Sequence, residues 1–336
     1  MINIKISLPG QKSRLNISQF IENNENQIEN FKFHINTNID SPNYWFIIED
    51  LDRSQETCFI SKDNIYFLTN ETLWHDTYWQ RESKKNFLDQ FSKIFTNYEL
   101  IHRSKLTLPF LPWMINANHG DSVFHNHERD KTFFKNLKSL DKIEKISIIT
   151  SNKIISDEHV LRYEFAKKLK SYFGEDIEWF GVGINEIEEK WEGIHPFKYH
   201  IALENKRQNY VISEKLYDSF LGLSYPFYSG APNVYDYFPK NSLTTIDITD
   251  FKSSVDTIKD CLNKNTYDKN FQSILIAKNI VLNELNLFNR IVNIIKDEIT
   301  TTSKKQKITL KDTKSYIKNY ERRYKLKKNL YNLIKK

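Results

Sequence analysis

The sequence predicts an α/β protein built from two Rossmann-like domains that face each other across a cleft. Short apolar strands alternate with helices in two successive stretches, and this order favours largely parallel sheets. The 336 residues suffice for about two domains at roughly 150 residues each. A hydrophobic fraction of 39% supplies enough apolar material for packed cores, which excludes a wholly disordered chain.

The first alternating stretch predicts an N-terminal domain over residues 1–140. Apolar and polar residues alternate from Ile2 to Leu8, and Pro9 and Gly10 end this strand. Helical spacing appears around Phe87, Phe91 and Phe95. Residues 109–129 are irregular and predict a loop that leads to a connection near 130–145. The further predicted strands are 31–35, 44–48, 64–69 and 99–102.

The second stretch predicts a second domain over residues 141–265. Its predicted strands are 145–150, 178–183, 197–203, 225–229 and 243–248. Its predicted helices are 158–173, 213–221 and one that starts at Ser253. Only helices are expected beyond it, so residues 266–336 predict a helical C-terminal part with a basic tail.

Charge and composition limit the classes of function. Residues 303–336 hold 13 Lys and Arg against two acidic residues, whereas the rest holds 36 basic and 41 acidic residues. A nucleic-acid binder usually carries positive charge on its folded domain, so a nucleic-acid partner is not expected. The presence of only two cysteines favours a reducing cytosol, and the N-terminus alternates apolar and polar residues instead of forming the apolar core of a signal peptide. The most apolar long stretch, 274–295, is interrupted by charged residues and predicts no membrane span.

The sharpest candidate site follows the strand 197–203. That strand ends in Glu204 and Asn205, and a helix begins at Ser213, Glu214 and Lys215. A helix start offers unpaired N–H groups and the positive end of the dipole, so it suits an anion such as phosphate. Lys215 adds a full positive charge, while Glu214 suits the paired hydroxyls of a ribose. An ordinary capped helix with both side chains in solvent is the alternative reading of this spacing.

The order of motifs from residue 203 to 251 resembles that of the family 10 glycosyltransferases, the bacterial and animal α-1,3/1,4-fucosyltransferases. The matching segments are EN at 204–205, YVISEK at 210–215, PFYSGAPNVYDYFPKNS at 226–242 and DF at 250–251. Leu203 stands where the family has Phe, and Ser213 stands where it has Thr. Weaker agreement extends upstream, through Ser151-Asn152 and Arg162…Phe165, to about residue 64.

The resemblance implies a GT-B fold and inverting transfer of fucose from GDP-fucose. It also implies that residues 1–140 form the acceptor-side domain and that residues 141–265 form the domain that binds the GDP-sugar donor. Arg162 and Lys215 would neutralise the leaving diphosphate together with the helix start, without an obligatory metal. Glu214 would hold the ribose, and Asn205 and Tyr210 would line the nucleotide pocket. Glu71, in the segment NIYFLTNET at 64–72, falls where the family places its proposed general base. A surface carboxylate at a strand end is the alternative for Glu71.

Three rival signals remain in the sequence. Asp50-Leu51-Asp52 resembles a metal-binding DxD motif, although such short acidic matches are common at strand ends. His119, Asp121, His125 and His127 could ligate a metal, but a solvated loop is the simpler interpretation. The tryptophans that could stack on sugar rings, with core packing as the alternative, are Trp74, Trp79 and Trp113.

The basic tail predicts an amphipathic helix. Lys and Arg occupy its other faces, and its apolar face consists of Ile317, Tyr320, Tyr324, Tyr331 and Ile334. This pattern suits an anionic bilayer surface, and the resemblance agrees, since bacterial members act on lipid-linked glycans. We therefore expect a cytoplasmic enzyme, peripheral on the inner face of the cell membrane, that modifies a GlcNAc- or Gal-containing glycan such as lipopolysaccharide. The alternatives are transfer of another GDP-activated deoxysugar, or a non-catalytic protein that binds membrane or nucleic acid through its tail.

Overall fold

The computed structural model describes residues 1–9, 19–22, 26–69, 82–98, 104–110, 113–117, 129–154, 156–297 and 303–316. The strands are β1 Ile2–Ser7, β2 Gln27–Ile28, β3 Phe31–Ile35, β4 Tyr44–Ile48, β5 Gln55–Ile60, β6 Ile65–Leu68, β7 Lys93–Thr96, β8 Ser104–Leu106, β9 Ile143–Ile149, β10 Ile177–Phe180, β11 Phe197–Leu203, β12 Tyr225–Ser229, β13 Thr244–Thr245 and β14 Gln306–Lys311. The α-helices are α1 Glu82–Leu88, α2 Lys131–Asn136, α3 Asp157–Phe173, α4 Glu214–Leu221, α5 Phe251–Asn263, α6 Thr266–Asn283 and α7 Leu287–Asp297.

The chain divides into two compact units. The first contains residues 1–10, 30–107 and 300–336, and the second contains residues 11–29 and 108–299. The chain therefore passes between the two units several times. The predicted domains 1–140, 141–265 and 266–336 are instead consecutive in sequence, and their limits stay predictions. Within the described part of the chain, no helix is both long enough and apolar enough to cross a bilayer.

The first unit is organised around a parallel sheet in which its strands have the order β3-β1-β4-β6-β7-β8. Neighbouring strands pair in parallel throughout this series. The central strands β4 and β6 are almost entirely buried, as expected for a sheet covered on both faces. Phe67 of β6 stacks on Phe91 at 5.1 Å between ring centroids, and Phe87 of α1 meets both rings edge-on.

Two expectations for the first unit are wrong. Phe95 lies on strand β7 and not on a helix with Phe87, because the helix ends at Leu88 and Ser92 caps the turn by bonding to the carbonyls of Asp63 and Ile65. Phe87 and Phe91 pack on Phe67, whereas the ring of Phe95 lies 6.2 Å from that of Tyr66, the neighbour of Phe67 in β6. Because successive residues of a strand face opposite sides of a sheet, Phe95 lies on the other face of the sheet from Phe87 and Phe91. The expectation of only helices beyond residue 265 is also wrong, because β14 is a strand.

Strand β14 pairs antiparallel with β5, which the sequence analysis did not recognise as a strand. The register joins Gln306 to Ile60 and Lys311 to Gln55, so six residues of the C-terminal segment are held in the first unit. Alternating side chains of β14 face solvent, with Leu310 buried in the hydrophobic core. The predicted strand 99–102 and the predicted tail helix 317–334 lie outside the described residues.

The second unit has a parallel sheet with the order β10-β9-β11-β12-β13. The predicted strands 197–203 and 225–229 are confirmed at those limits as β11 and β12. Helix α3 begins after Ser156, whose hydroxyl accepts the N–H of His159, and ends at Gly174 with a φ of 57°. The expected connection at 130–145 instead contains helix α2, which begins after the capping carboxylate of Asp130.

Candidate functional site

A pocket of the second unit lies where its strand order reverses. From β9 the chain continues to β10 on one side, and from β11 it continues to β12 on the other. In open parallel sheets, ligands bind outside the carboxyl ends of the strands at this switch point. Thr150 and Ser151, directly after β9, and Leu203, the last residue of β11, line the pocket together with the start of α4.

The start of helix α4 is fixed by a buried carboxylate. Glu204, directly after β11, accepts the N–H of Ser213 at 2.7 Å and its hydroxyl at 2.6 Å. Ser213 caps the helix, since its Oγ accepts the N–H of Lys215 at 3.4 Å. Glu204 is 5% exposed, so these bonds, together with Lys215 Nζ at 3.8 Å, compensate its loss of water. The two bonds from Ser213 to Glu204, which we call the brace, therefore join the carboxyl end of β11 to the helix start.

Three basic side chains converge on this pocket. Arg162 reaches it from α3, Lys190 from the segment before β11, and Lys215 from the first turn of α4. Arg162 is 8% exposed, its Nη1 lies 3.5 Å from the carbonyl oxygen of Leu203, and its buried Nε has no hydrogen-bond partner among the described residues. A buried guanidinium with an unpaired N–H can donate a hydrogen bond to an anionic ligand.

The carboxylates of the pocket differ in their protonation. Burial alone would raise the pKa of Glu214, but Lys215 at 3.0 Å and Lys190 at 4.0 Å lower it to about 2. Glu214 therefore stays ionised. Burial raises the pKa of Asp218 to about 7, although Lys190 at 3.5 Å opposes this shift. Burial also raises the pKa of Glu204 against the opposing effect of Lys215.

The lysine beside these carboxylates remains charged. Burial would lower the pKa of Lys215, but Glu214 and Glu204 hold it above its usual range. Burial lowers the pKa of Arg162, and Glu204 and Glu214 oppose that shift. The pocket thus offers two firmly held cations, a third from Lys190, and the N–H groups at a helix start. This arrangement can bind a diphosphate and stabilise the charge that develops when it leaves.

Part of the glycine- and tyrosine-containing motif after β12 is structural. The hydroxyl of Tyr228 donates to the carbonyl of Val211 at 3.1 Å and accepts the N–H of Ala231 at 3.0 Å. A Cβ at Gly230 would lie 2.2 Å from Tyr228 Oη and 2.5 Å from Glu204 Cγ. Glycine at this position therefore allows the loop to close over the brace that positions α4.

The predicted donor residues fall into two groups. Arg162, Glu214 and Lys215 line one pocket, although they come from helices some fifty residues apart in sequence. Asn205 and Tyr210 are partly buried in the segment between β11 and α4 and are not among the lining residues. The side-chain oxygen of Asn205 is buried without a partner among the described residues, and the N–H of Tyr210 donates to Asn233 Oδ1 at 3.0 Å. Their roles stay predictions.

Several predicted residues lie outside the described residues. These are the expected general base Glu71, the histidine-rich set and two tryptophans: Glu71, His119, Asp121, His125, His127, Trp74 and Trp79. The third tryptophan, Trp113, is described and is 1% exposed, with its ring 4.7 Å from that of Phe20. It is a core residue.

The first carboxylate of the DxD reading, Asp50, is engaged by another contact. Asp50 accepts hydrogen bonds from the N–H and the hydroxyl of Thr313, and one from the N–H of Leu51. Its carboxylate thus caps the short turn 313–316 that follows β14. Across the described ranges, no group of three or more His, Cys, Asp or Glu side chains is arranged to hold a metal ion.

Sequence reasoning missed two charged lining residues, Lys190 and Asp218. Asp218 follows Glu214 by one helical turn, so the two carboxylates share a face of a helix that otherwise buries apolar residues. That spacing is a usable signal for a polar site. Lys190 stands in a segment of mixed charge, GINEIEEK, and nothing in its local pattern separates it from a solvated surface lysine.

Comparison with known proteins shows similarity of fold without similarity of sequence. No family model matches the sequence, and no curated protein matches it significantly. A crystal structure of an α1,3-fucosyltransferase aligns over 81% of each chain, with a TM-score of 0.50 and 16% identity. A crystal structure of α1,3-fucosyltransferase with GDP-fucose aligns over 84% of this chain and 90% of the other, with a TM-score of 0.47 and 16% identity. Anabaena Alr3699/HepE in complex with UDP aligns over 89% of this chain and all of the other, with a TM-score of 0.46 and 6% identity.

The alignment at a TM-score of 0.50 establishes the fold class. The protein is an α/β protein with two Rossmann-like units of the GT-B type, which confirms the class predicted from the sequence. The low identity means that this similarity concerns the fold and leaves donor, acceptor and linkage to be argued from the residues.

Proposed function

We propose that the protein is a glycosyltransferase that takes its sugar from a nucleoside-diphosphate donor. The observation that carries the proposal is the pocket at the switch point of the second sheet, where Arg162, Lys190, Lys215 and the start of α4 converge. A diphosphate is the ligand chemistry that three cations and a helix start together favour. The GT-B fold is compatible with this chemistry, although a fold alone does not fix a function.

The donor is held by complementary charges. Arg162 offers a forked donor and Lys215 a point charge, so together they neutralise the leaving diphosphate. Glu214 is ionised and anchored by Lys215, and its remaining acceptor capacity suits the paired hydroxyls of the ribose. Asn205 and Tyr210 contact the nucleotide from the adjoining segment. Because the protein supplies the positive charge, we propose that the reaction needs no metal ion.

The transfer is an inverting displacement. An acceptor hydroxyl attacks the anomeric carbon from the face opposite the leaving group, and its proton passes to Glu71 as the general base. The new oxygen–carbon bond forms as the bond from the anomeric carbon to the phosphate oxygen breaks, and the diphosphate leaves with the electron pair. Positive charge around that oxygen stabilises the departing GDP.

The motif resemblance supports a finer assignment. We propose GDP-fucose as the donor and a hydroxyl of a GlcNAc- or Gal-containing surface glycan as the acceptor, joined in an α-1,3 or α-1,4 linkage. The basic segment 303–336 would hold the enzyme on an anionic, cytoplasmic membrane face where lipid-linked glycans are exposed. Transfer of another GDP-activated deoxysugar is the alternative within the same site.

Calorimetric titration of the purified protein with GDP, in EDTA and with UDP as the control, tests the donor site. Saturable binding of GDP in preference to UDP supports the proposal and justifies a screen of GDP-sugars with Gal and GlcNAc acceptors. A strict requirement for a divalent cation contradicts the metal-free mechanism. Failure of both nucleotides to bind contradicts the proposed function.

A further inference from the structure

Lys190 is held at the pocket wall by two carboxylates of one helix. Its Nζ lies 3.5 Å from Asp218 Oδ2 and 4.0 Å from Glu214 Oε1. Its backbone N–H donates to the carbonyl of Ala117 at 3.2 Å, which fixes the segment that carries it. The lysine side chain is 14% exposed, so it is a partly buried cation with a defined position and not a solvated surface group.

Asp218 is itself fixed in place. It is 1% exposed, and its second oxygen accepts the N–H of Met114 at 2.8 Å. Since Asp218 follows Glu214 by four residues on α4, their carboxylates lie on one side of the helix. Both carboxylates contact Lys190. Without Lys190, ionised Asp218 would be a buried, unpaired charge. The Lys190–Asp218 pair is therefore an integral contact of the pocket wall.

We propose that Lys190 is a third diphosphate-binding residue, positioned by Asp218 and Glu214, and that Asp218 adjusts the charge of the donor pocket. This inference rests on the proposed function, because it assigns a further residue to the same donor site. Arg162 and Lys215 approach from two helices, and Lys190 lines the same pocket from the segment before β11. A multiply charged diphosphate would therefore meet positive charge from three separate elements.

The protonation of Asp218 follows from the groups that face it. Lys190 faces it from the segment before β11, Glu214 from its own helix, and the N–H of Met114 from the segment 113–117. Burial raises the pKa of this carboxyl to about 7. Ionised Asp218 competes with an anionic ligand for Lys190 and repels that ligand, whereas the protonated form does neither. Diphosphate affinity should therefore fall as Asp218 ionises.

Binding of inorganic pyrophosphate to the full chain isolates the diphosphate contact. We expect Lys190→Met to weaken pyrophosphate binding about tenfold, the effect of losing one charge-assisted hydrogen bond. Lys198→Met is the matched control, because Lys198 of β11 is also paired with two carboxylates, Glu144 and Asp268, but does not line the pocket. The control should bind as the wild type does.

Lys215→Met separates this inference from the proposed function. If Lys215→Met loses affinity while Lys190→Met stays within twofold of the wild type, Lys190 is not a ligand and the inference alone is overturned. If the wild type binds neither pyrophosphate nor GDP, the proposed function is overturned and this inference with it.

A second variant removes the concern that Lys190→Met leaves buried carboxylates unpaired. In Lys190→Met/Asp218→Asn the neutral amide still offers an oxygen to the N–H of Met114, so this double variant should fold. At pH 6 the double variant should bind pyrophosphate about tenfold more weakly than Asp218→Asn. Binding by the folded double variant within twofold of Asp218→Asn overturns the role of Lys190. Asp218→Asn alone should match the wild type at pH 6 and bind pyrophosphate about three- to tenfold more tightly at pH 8.5. Parallel pH profiles of these two proteins overturn the role of Asp218.

Discussion

Replacing Lys215 by methionine removes one cation from the proposed donor pocket while keeping an unbranched side chain of similar length. In the free protein its Nζ lies 3.0 Å from Glu214, 3.1 Å from Ser213 Oγ and 3.8 Å from Glu204. A bound diphosphate would receive a charge-assisted hydrogen bond from the same group. Such bonds contribute about 1.5–3 kcal/mol, which corresponds to a loss of roughly ten- to hundredfold in affinity.

The expected loss lies near the lower end of that range. Lys215 is already paired with two carboxylates, so the ligand gains less than it would from an unpaired lysine. We therefore expect GDP to bind about 10- to 30-fold more weakly to Lys215→Met. Folding should be affected less, because Glu204 keeps both bonds from Ser213 and Glu214 keeps Lys190 at 4.0 Å. A decrease of a few degrees in melting temperature is expected, on the order of 1–2 kcal/mol.

Calorimetry with GDP and thermal denaturation with and without GDP measure both quantities, and Lys198→Met serves as the control. A variant that melts well above the assay temperature and binds GDP within twofold of the wild type would refute the phosphate role of Lys215. Equal loss in Lys198→Met would show that the effect is a general one of charge and not a contact in the pocket.

Three further perturbations address the base, the brace and the DxD reading. Glu71→Gln should bind GDP normally but lose transfer by at least a hundredfold, and retained turnover would exclude Glu71 as the base. Gly230→Ala should lower the melting temperature and weaken GDP binding together, because its Cβ would lie 2.2 Å from Tyr228 Oη; unchanged values would show that the loop adapts. Asp50→Ala should destabilise the protein by about 1–3 kcal/mol through loss of the Thr313 contacts, yet leave GDP affinity in EDTA unchanged. A loss of affinity that metal restores would revive the DxD reading.

The fold was predictable where sequence pattern and local structure agree. β11 and β12 are buried apolar strands bounded by polar segments, and the structure places both at the predicted limits. β5 was missed because QETCFI contains Gln, Glu and Thr and lies opposite the C-terminal strand, about 250 residues away. Its strand structure depends on a partner that no local window contains. Phe95 was assigned to a helix because its spacing of four residues from Phe91 fits a helical face, whereas the chain turns into strand β7 between the two residues.

The residues of the candidate site were likewise predictable only where the local sequence pattern reveals them. The local signature of a helix start singles out Glu214 and Lys215, and only the motif resemblance singles out Arg162. The structure brings these three residues to one pocket, and their roles stay predictions. Lys190 reaches the pocket through tertiary packing, from a segment whose sequence reads as solvated. A residue of that kind becomes visible only when the structure shows which carboxylates hold it, here Asp218 and Glu214.

The motif that carries the resemblance combines residues of two physical kinds. Lys215 and Glu214 present charge to the pocket, whereas Glu204, Gly230 and Tyr228 fix the helix start by buried hydrogen bonds and close packing. A protein that had lost its donor site could retain the second kind for stability alone, but it would have no need of a buried arginine whose Nε lacks a partner among the described residues. Leaving such a donor unsatisfied costs about 1–3 kcal/mol in the unliganded state. An anion bound in the pocket would offer this N–H an acceptor and offset that cost, so Arg162 fits the proposed donor site better than a purely structural role.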